Sequence, residues 1–248
     1  MAGHSQFKNI MYRKGAQDAK RAKMFAKIAR EIIVSVKSGG AEASSNPRLR
    51  AALASARGAN MPKDNIDRAI KKASGGDDLS QYEEVRYEGY GVAGVAVIVE
   101  TLTDNRNRTA SEVRSTLSKN GGNLGETGSV GFCFERLGML HFDVSKFSFD
   151  QVFEAAVNAG ADNVETIDDV HEVTCPLESF AAVRDSLIET LGDPREAKIM
   201  WKPLTTIVVN ADQAKTLFKI IDTLEDSDDV QNVYTNVEIP EDVLKTLS

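Results

Sequence analysis

Between Gln17 and Lys37 the apolar residues Phe25, Ile28, Ala29, Ile32 and Val36 recur at spacings of three and four, the period of one helix face. Gly39-Gly40 predicts its end. The opposite sector holds Lys20, Lys23, Lys27, Arg30 and Lys37, a cationic ridge about 25 Å long at about 1.5 Å per residue. A second helix opens at Asn46-Pro47, a capping residue followed by proline, and shows Leu49, Ala52, Leu53 and Ala56 as its apolar stripe. A third opens at Met61-Pro62 and runs through Ile66, Ala69, Ile70 and Ala73, with Arg68, Lys71 and Lys72 on its outer side. Ser74-Gly75-Gly76-Asp77-Asp78 reads as a linker that closes this helical segment.

Beyond it the period changes. Val95 to Val99 is an apolar run of strand length, a helix passes through Val113 and Leu117 to Gly121-Gly122, and Ser129 to Phe134 reads as a returning strand. From Gly138 to Trp201 the order is β-α-β-β-α-β, the ferredoxin-like split βαβ pattern. The tail adds a strand at Thr205 to Val209, a helix at Ala211 to Leu224 and a strand at Val230 to Thr235. Two half-units flank a complete one, so the expected fold is α+β. A helical bundle, residues 1–76 with an N-terminal arm, precedes two ferredoxin-like α/β domains. Residues 136–202 are inserted into a discontinuous domain made of 79–135 and 203–248.

Composition narrows the class. With 248 residues, 42% hydrophobic and 27% charged, the chain is an ordinary globular protein of two or three cores. No apolar run reaches membrane-spanning length and the N-terminus lacks a signal-peptide core, so a soluble cytoplasmic protein is expected. Cys133 and Cys175 make no disulfide framework.

The net charge of −7 conceals a division. Residues 1–76 carry 16 Lys plus Arg and 5 Asp plus Glu, a net of +11; residues 77–248 carry 14 and 32, a net of −18. A basic module on an acidic body points to a polyanion as partner. Arg13 and Lys14, in the arm after Gly3 to Asn9, add phosphate-seeking charge.

Gly89-Tyr90-Gly91-Val92-Ala93-Gly94 fits G-x-G-x-x-G but precedes a strand, so turns between strands explain it better than a dinucleotide site. Gly121 to Gly128 lacks the Lys-Ser/Thr of a P-loop and reads as a helix cap entering a long loop. Asp104-Asn105-Arg106-Asn107-Arg108-Thr109 lies between a strand and a helix. Capping accounts for its acid and amides, whereas Arg106 and Arg108 oppose the helix dipole and point either to a bound anion or to salt bridges with Glu100 or Glu112. His4, His141 and His171 are not at ligand spacing, no catalytic motif is present, and no cofactor is expected. Glu225, Asp226, Asp228 and Asp229 read as a solvated acidic surface.

Several spaced motifs together resemble the YebC family of bacterial regulatory proteins, which also has a mitochondrial branch of translational activators. They are Met1 to Ser5, Ala16 to Arg21 with Arg30-Glu31-Ile32, Asn46 to Arg50, and Asn60 to Ile66 with Arg68-Ala69-Ile70. Tyr87-Glu88-Gly89-Tyr90-Gly91, Asp104 to Thr109 and Gly121 to Gly125 complete the set. The resemblance implies three domains, a role as DNA-binding transcriptional regulator or as ribosome-associated factor, and no catalytic residues. The chain departs from the family at Gln6-Phe7, where Lys-Trp is common, around Met11-Tyr12, where further basic residues are usual, and at Val92, where Pro is usual.

The expected function is therefore non-enzymatic regulation of gene expression through DNA, with Arg13, Lys14, Lys20, Lys23, Lys27, Arg30, Lys37, Arg68, Lys71, Lys72, Arg106 and Arg108 on phosphates. A translation factor on ribosomal RNA or the ribosome uses the same charges. Metal-dependent hydrolysis is the rival from another class. No membrane or small-molecule partner is evident.

Overall fold

The computed structural model describes residues 17–75 and 82–247, with side chains from Arg21 onward. Arg13 and Lys14 lie outside the described residues, as does the side chain of Lys20. The chain is α+β, with helices first and sheet domains after.

Helices α1 (Gln17–Gly39), α2 (Pro47–Gly58) and α3 (Lys63–Ser74) follow the apolar periodicity. Ile32, Val36, Leu49, Ala52, Ala56 and Ala69 are buried. Asn46 joins the first two. Its carboxamide oxygen accepts from Leu49 N–H at 3.0 Å, capping α2, while its nitrogen donates to the carbonyls of Ser35 and Gly40 at 2.7 and 2.8 Å.

Strands β1 (Glu83–Tyr90) and β2 (Ala96–Thr103) form an antiparallel hairpin joined through Gly91 to Val95, where Ala93 and Gly94 have φ of 59° and 75°. The glycine run is thus a strand-to-strand connection. Helix α4 (Arg106–Lys119) leads to the short β3 (Asn123–Leu124). Then come β4 (Phe134–Asp143), α5 (Phe149–Ala159), β5 (Asn163–Ile167), β6 (Val170–Pro176), α6 (Phe180–Leu191) and β7 (Glu196–Pro203). The chain closes with β8 (Ile207–Val208), α7 (Ala211–Glu225), β9 (Val230–Thr235), β10 (Val237–Glu238) and α8 (Glu241–Leu247).

One sheet has the order β3-β1-β2-β9, so β9 pairs with β2 from the far side of the inserted sequence; its core includes Val97, Val99, Val113, Leu117, Leu217 and Ile220. The other has the order β5-β6-β4-β7, the split βαβ arrangement, with Leu140, Phe142, Val152, Val173 and Leu187 in its core. A parallel pair, β8 and β10, stands apart.

The contacts divide the chain into two compact units. One gathers the described parts of Met1–Val34, Gly75–Glu135 and Lys202–Ser248; the other gathers Ser35–Ser74 and Arg136–Trp201. The boundary at Val34/Ser35 falls inside α1.

Three local expectations are corrected. Strand β1 was not foreseen, although Val85, Tyr87 and Gly89 alternate with Glu84, Arg86 and Glu88. Residues 129–134 do not return as a strand: Gly131–Cys133 is a 3₁₀ turn, and β3 takes the place beside β1. In the tail, β8 pairs with β10 rather than joining the main sheet. The cause at 129–134 is Glu88, whose buried carboxylate accepts from the N–H groups of Val130 and Gly131 at 3.0 and 2.9 Å, so a side chain replaces a ladder there.

Candidate nucleic-acid interface

Lys23, Lys27 and Arg30 stand at i, i+4 and i+7 on α1, in one row along the helix, as their spacing requires. That row meets the C-terminal end of α7. Lys23 Nζ lies 2.6 Å from Asp226 Oδ1, and Lys27 Nζ donates to the Glu225 carbonyl at 2.8 Å. Arg30 Nη1 reaches Asp229 Oδ1 at 2.8 Å and the carbonyls of Asp228 and Leu102 at 2.5 and 3.0 Å, and its guanidinium stands over the Tyr82 ring. Cations at a helix C-terminus meet its unpaired carbonyls and the negative end of its dipole. Burial pulls the Lys27 pKa down, and the nearby charges of Glu225, Asp226 and Asp228 only partly restore it.

Asp229 is the centre of this cluster. Its side chain is 5% exposed and also accepts from Arg108 Nη2 at 2.6 Å, Thr109 Oγ1 at 2.7 Å and Thr103 Oγ1 at 3.0 Å. Burial alone raises a carboxyl pKa; here the hydrogen bonds from Arg108, Thr109 and Thr103 outweigh it and hold Asp229 below its ordinary value. Asn105 caps α4 by accepting from Arg108 N–H at 3.1 Å. The segment Asp104 to Thr109 is therefore organised around a buried carboxylate. Arg108 is held by Asp104 and Asp229, salt bridges of the kind foreseen but with different partners from Glu100 and Glu112. The acidic run after α7 is likewise not simply a solvated surface, because Asp229 is buried and Asp226 is paired. An open groove of about 1000 Å³ borders the cluster. Its lining carries Lys23, Arg30 and Arg108 against Asp104, Glu112, Asp226, Asp228 and Asp229, so acidic side chains outnumber basic ones there.

The remaining cations lie elsewhere. Arg106 is exposed at the first position of α4, its carbonyl accepting from Tyr87 OH at 2.9 Å. Lys37 is exposed in the last turn of α1. In α3, Ile66, Ala69, Ile70 and Ala73 turn inward, and Arg68, Lys71 and Lys72 are exposed on successive turns. Residues 35–74 carry eight basic and three acidic side chains, a net of +5. Among the described residues no group of three His, Cys, Asp or Glu is arranged to hold a metal ion, and no helix is long and apolar enough to cross a membrane.

The profile of the TACO1/YebC protein N-terminal domain matches residues 5–76, and that of the TACO1/YebC second and third domain matches residues 82–237. The chain belongs to the TACO1/YebC family. A crystal structure of a conserved hypothetical protein from Aquifex aeolicus is similar throughout, at 44% identity and a TM-score of 0.81, covering 90% of this chain and 92% of that one. The TACO1/YebC family is a family of regulators of gene expression.

Two motifs of that resemblance meet in the fold. A Cβ on Gly89 would meet the Asn123 carbonyl, and one on Gly122 the Tyr90 carbonyl, so β1 and the loop after α4 approach at glycine-only distance. Burial pushes the Glu88 pKa up, but the N–H groups of Val130, Gly128 and Gly131 and the Arg86 guanidinium reverse this and lower it. What sequence reasoning missed was Asp229. Its signal was an acid at the start of β9, with Arg30 and Arg108 opposite in sign but remote in sequence.

Proposed function

We propose that this TACO1/YebC protein regulates gene expression in the cytoplasm by binding DNA through its phosphate backbone, with its first 76 residues as the contacting module. The observation that carries this reading is the charge division, +11 against −18, together with the exposed row Arg68, Lys71 and Lys72 on α3. Lys37, Arg106 and the arm cations Arg13, Lys14 and Lys20 extend the set. Lys23, Lys27, Arg30 and Arg108 are engaged with Asp226, the Glu225 carbonyl and Asp229 and are not counted among the phosphate contacts. Phosphate contacts position a protein without reading sequence, and no base-reading element is required. No catalytic step is assigned.

Anisotropy of a labelled duplex at rising salt tests this. Five engaged phosphates predict a slope of log K on log salt of roughly −4 to −5. Salt-independent binding would sink the proposal. Much tighter binding to a structured RNA of equal length would move the partner to ribosomal RNA.

A further inference from the structure

The apolar sector of helix α5 spans about 200°, wider than the roughly 100° stripe that a surface helix needs. Val152, Ala155 and Ala156 enter the core of the inserted sheet domain. Phe149, Phe153 and Val157, at i, i+4 and i+8, form a second stripe that is 41, 48 and 58% exposed. The stripe is held in shape. Ser148 and Gln151 close a capping box at the start of α5, Phe149 stacks on Phe153 with ring centroids 5.7 Å apart, and Phe149 meets the edge of His171 at 6.0 Å. His171 is itself fixed by Thr166 and the Phe147 carbonyl, at 2.9 and 3.0 Å. Val144, at the end of β4, is also exposed.

The surrounding charge selects what fits. Asp150 and Glu154 are exposed on the same helix, about 100° and 140° around from Phe149 and so directly beside the stripe. Helix α6 packs alongside and adds exposed Asp185 and Glu189. Residues 136–201 carry 13 acidic and 5 basic side chains, a net of −8. Beside the stripe these carboxylates disfavour nucleic acid and anionic lipid and attract a cationic protein surface.

We infer that the Phe149-Phe153-Val157 stripe of α5 docks a basic amphipathic helix of a protein partner. The stripe is about 12 Å long, two helical turns, and so matches apolar side chains at i, i+3 or i+4 and i+7 of the incoming helix. Lys or Arg beside those anchors would face Asp150 and Glu154. This surface is independent of the phosphate-binding reading and gives the protein a second, protein-directed contact.

The test uses the full chain and two labelled synthetic peptides of identical Leu/Lys composition, one ordered as an amphipathic helix and one scrambled so that no single apolar face forms. The amphipathic peptide is expected to bind at least about ten-fold more tightly than the scrambled one, the margin supplied by buried aromatic anchors. Phe153→Ala, and separately Phe149→Ala with Phe153→Ala, should remove most of that margin while circular dichroism stays unchanged. Asp150→Lys with Glu154→Lys should weaken both peptides. Equal binding of the two peptides, no detectable binding of either, or a margin that survives Phe153→Ala would overturn the inference. Sedimentation as a dimer that dissociates on Phe153→Ala would do so as well, because the occupant would then be a second copy. Binding to zwitterionic vesicles through the same residues would be equally fatal.

Discussion

Replacing Asp229 by alanine is expected to cost about 3 kcal/mol of stability. The wild-type carboxylate accepts from Arg30, Arg108, Thr103 and Thr109. Those donors do not lose equally. Thr109 Oγ1 keeps Thr103 Oγ1 at 2.8 Å and the Asn105 carbonyl at 3.2 Å. The Arg108 side chain is 46% exposed and can turn to water, so its pair is discounted for screening. Arg30 is 18% exposed and retains two carbonyls but loses the Asp229 carboxylate, leaving a largely buried cation uncompensated. Removing one member of such a buried pair costs about 3–5 kcal/mol, and the surviving contacts place this case at the low end. With a urea m-value of about 2 kcal/mol/M the midpoint should fall by about 1.5 M. Circular dichroism is the probe, because the single tryptophan, Trp201, belongs to the other unit. Asp228→Ala is the control, since Arg30 takes only the backbone carbonyl of that residue, and it should shift the midpoint by less than about 0.3 M. A shift equally small for Asp229→Ala would refute the view of Asp229 as the organising centre. Its depressed pKa also fixes the pH sign: the stabilisation is complete above the unfolded value of about 3.9 and is lost as pH falls through the lower folded value.

Further consequences are open to measurement. Gly122→Ala should destabilise by about 1–3 kcal/mol in thermal or urea unfolding, because its Cβ would meet the Tyr90 backbone, whereas an alanine at Gly125 meets the Ser129 side chain, which has more freedom to move. Lys23→Ala should change stability by less than about 1 kcal/mol, since both partners of its pair are exposed, and Arg30→Ala by clearly more; the reverse ranking would contradict the cluster geometry. His141 holds Glu172 at 2.9 Å and Glu196 at 3.3 Å on its two ring nitrogens. Burial opposes its charge, but the two carboxylates outweigh burial and raise its pKa. The raised value means the stabilisation is complete below about pH 6.5 and fades as pH climbs through the folded pKa; His141→Gln should flatten that alkaline loss in melts across the range.

The fold was legible wherever an element has its own periodicity. Helices α1, α2 and α3 follow from stripes such as Ile32 with Val36 and Leu49 with Ala52, and the βαββαβ order of residues 134–203 from its alternating periods. Strand β1 was obscured because its alternation places charge on one face and ends in glycines that read as a turn. Residues 129–134 look like a strand but are tied by the Glu88 carboxylate, a partner more than 40 residues away that no local pattern reveals. The site was half legible. Helical spacing found the cations of α1 and α3, but it cannot tell a cation aimed at solvent from one aimed at a helix end. Lys23, Lys27 and Arg30 proved to face the end of α7, whereas Arg68, Lys71 and Lys72 remain at the surface. The charge division read from the sequence is also internal, since part of the positive half is neutralised by part of the negative half.

The most direct test of the account is the salt dependence of nucleic-acid binding by the full chain and by a variant with Arg68→Glu, Lys71→Glu and Lys72→Glu. These side chains are exposed on α3, so folding should survive, as circular dichroism would verify. Loss of three phosphate contacts predicts weaker binding to every duplex sequence and a salt slope shallower by about 2.7. An unchanged affinity and slope would contradict the claim that this face of the helical segment meets the phosphates.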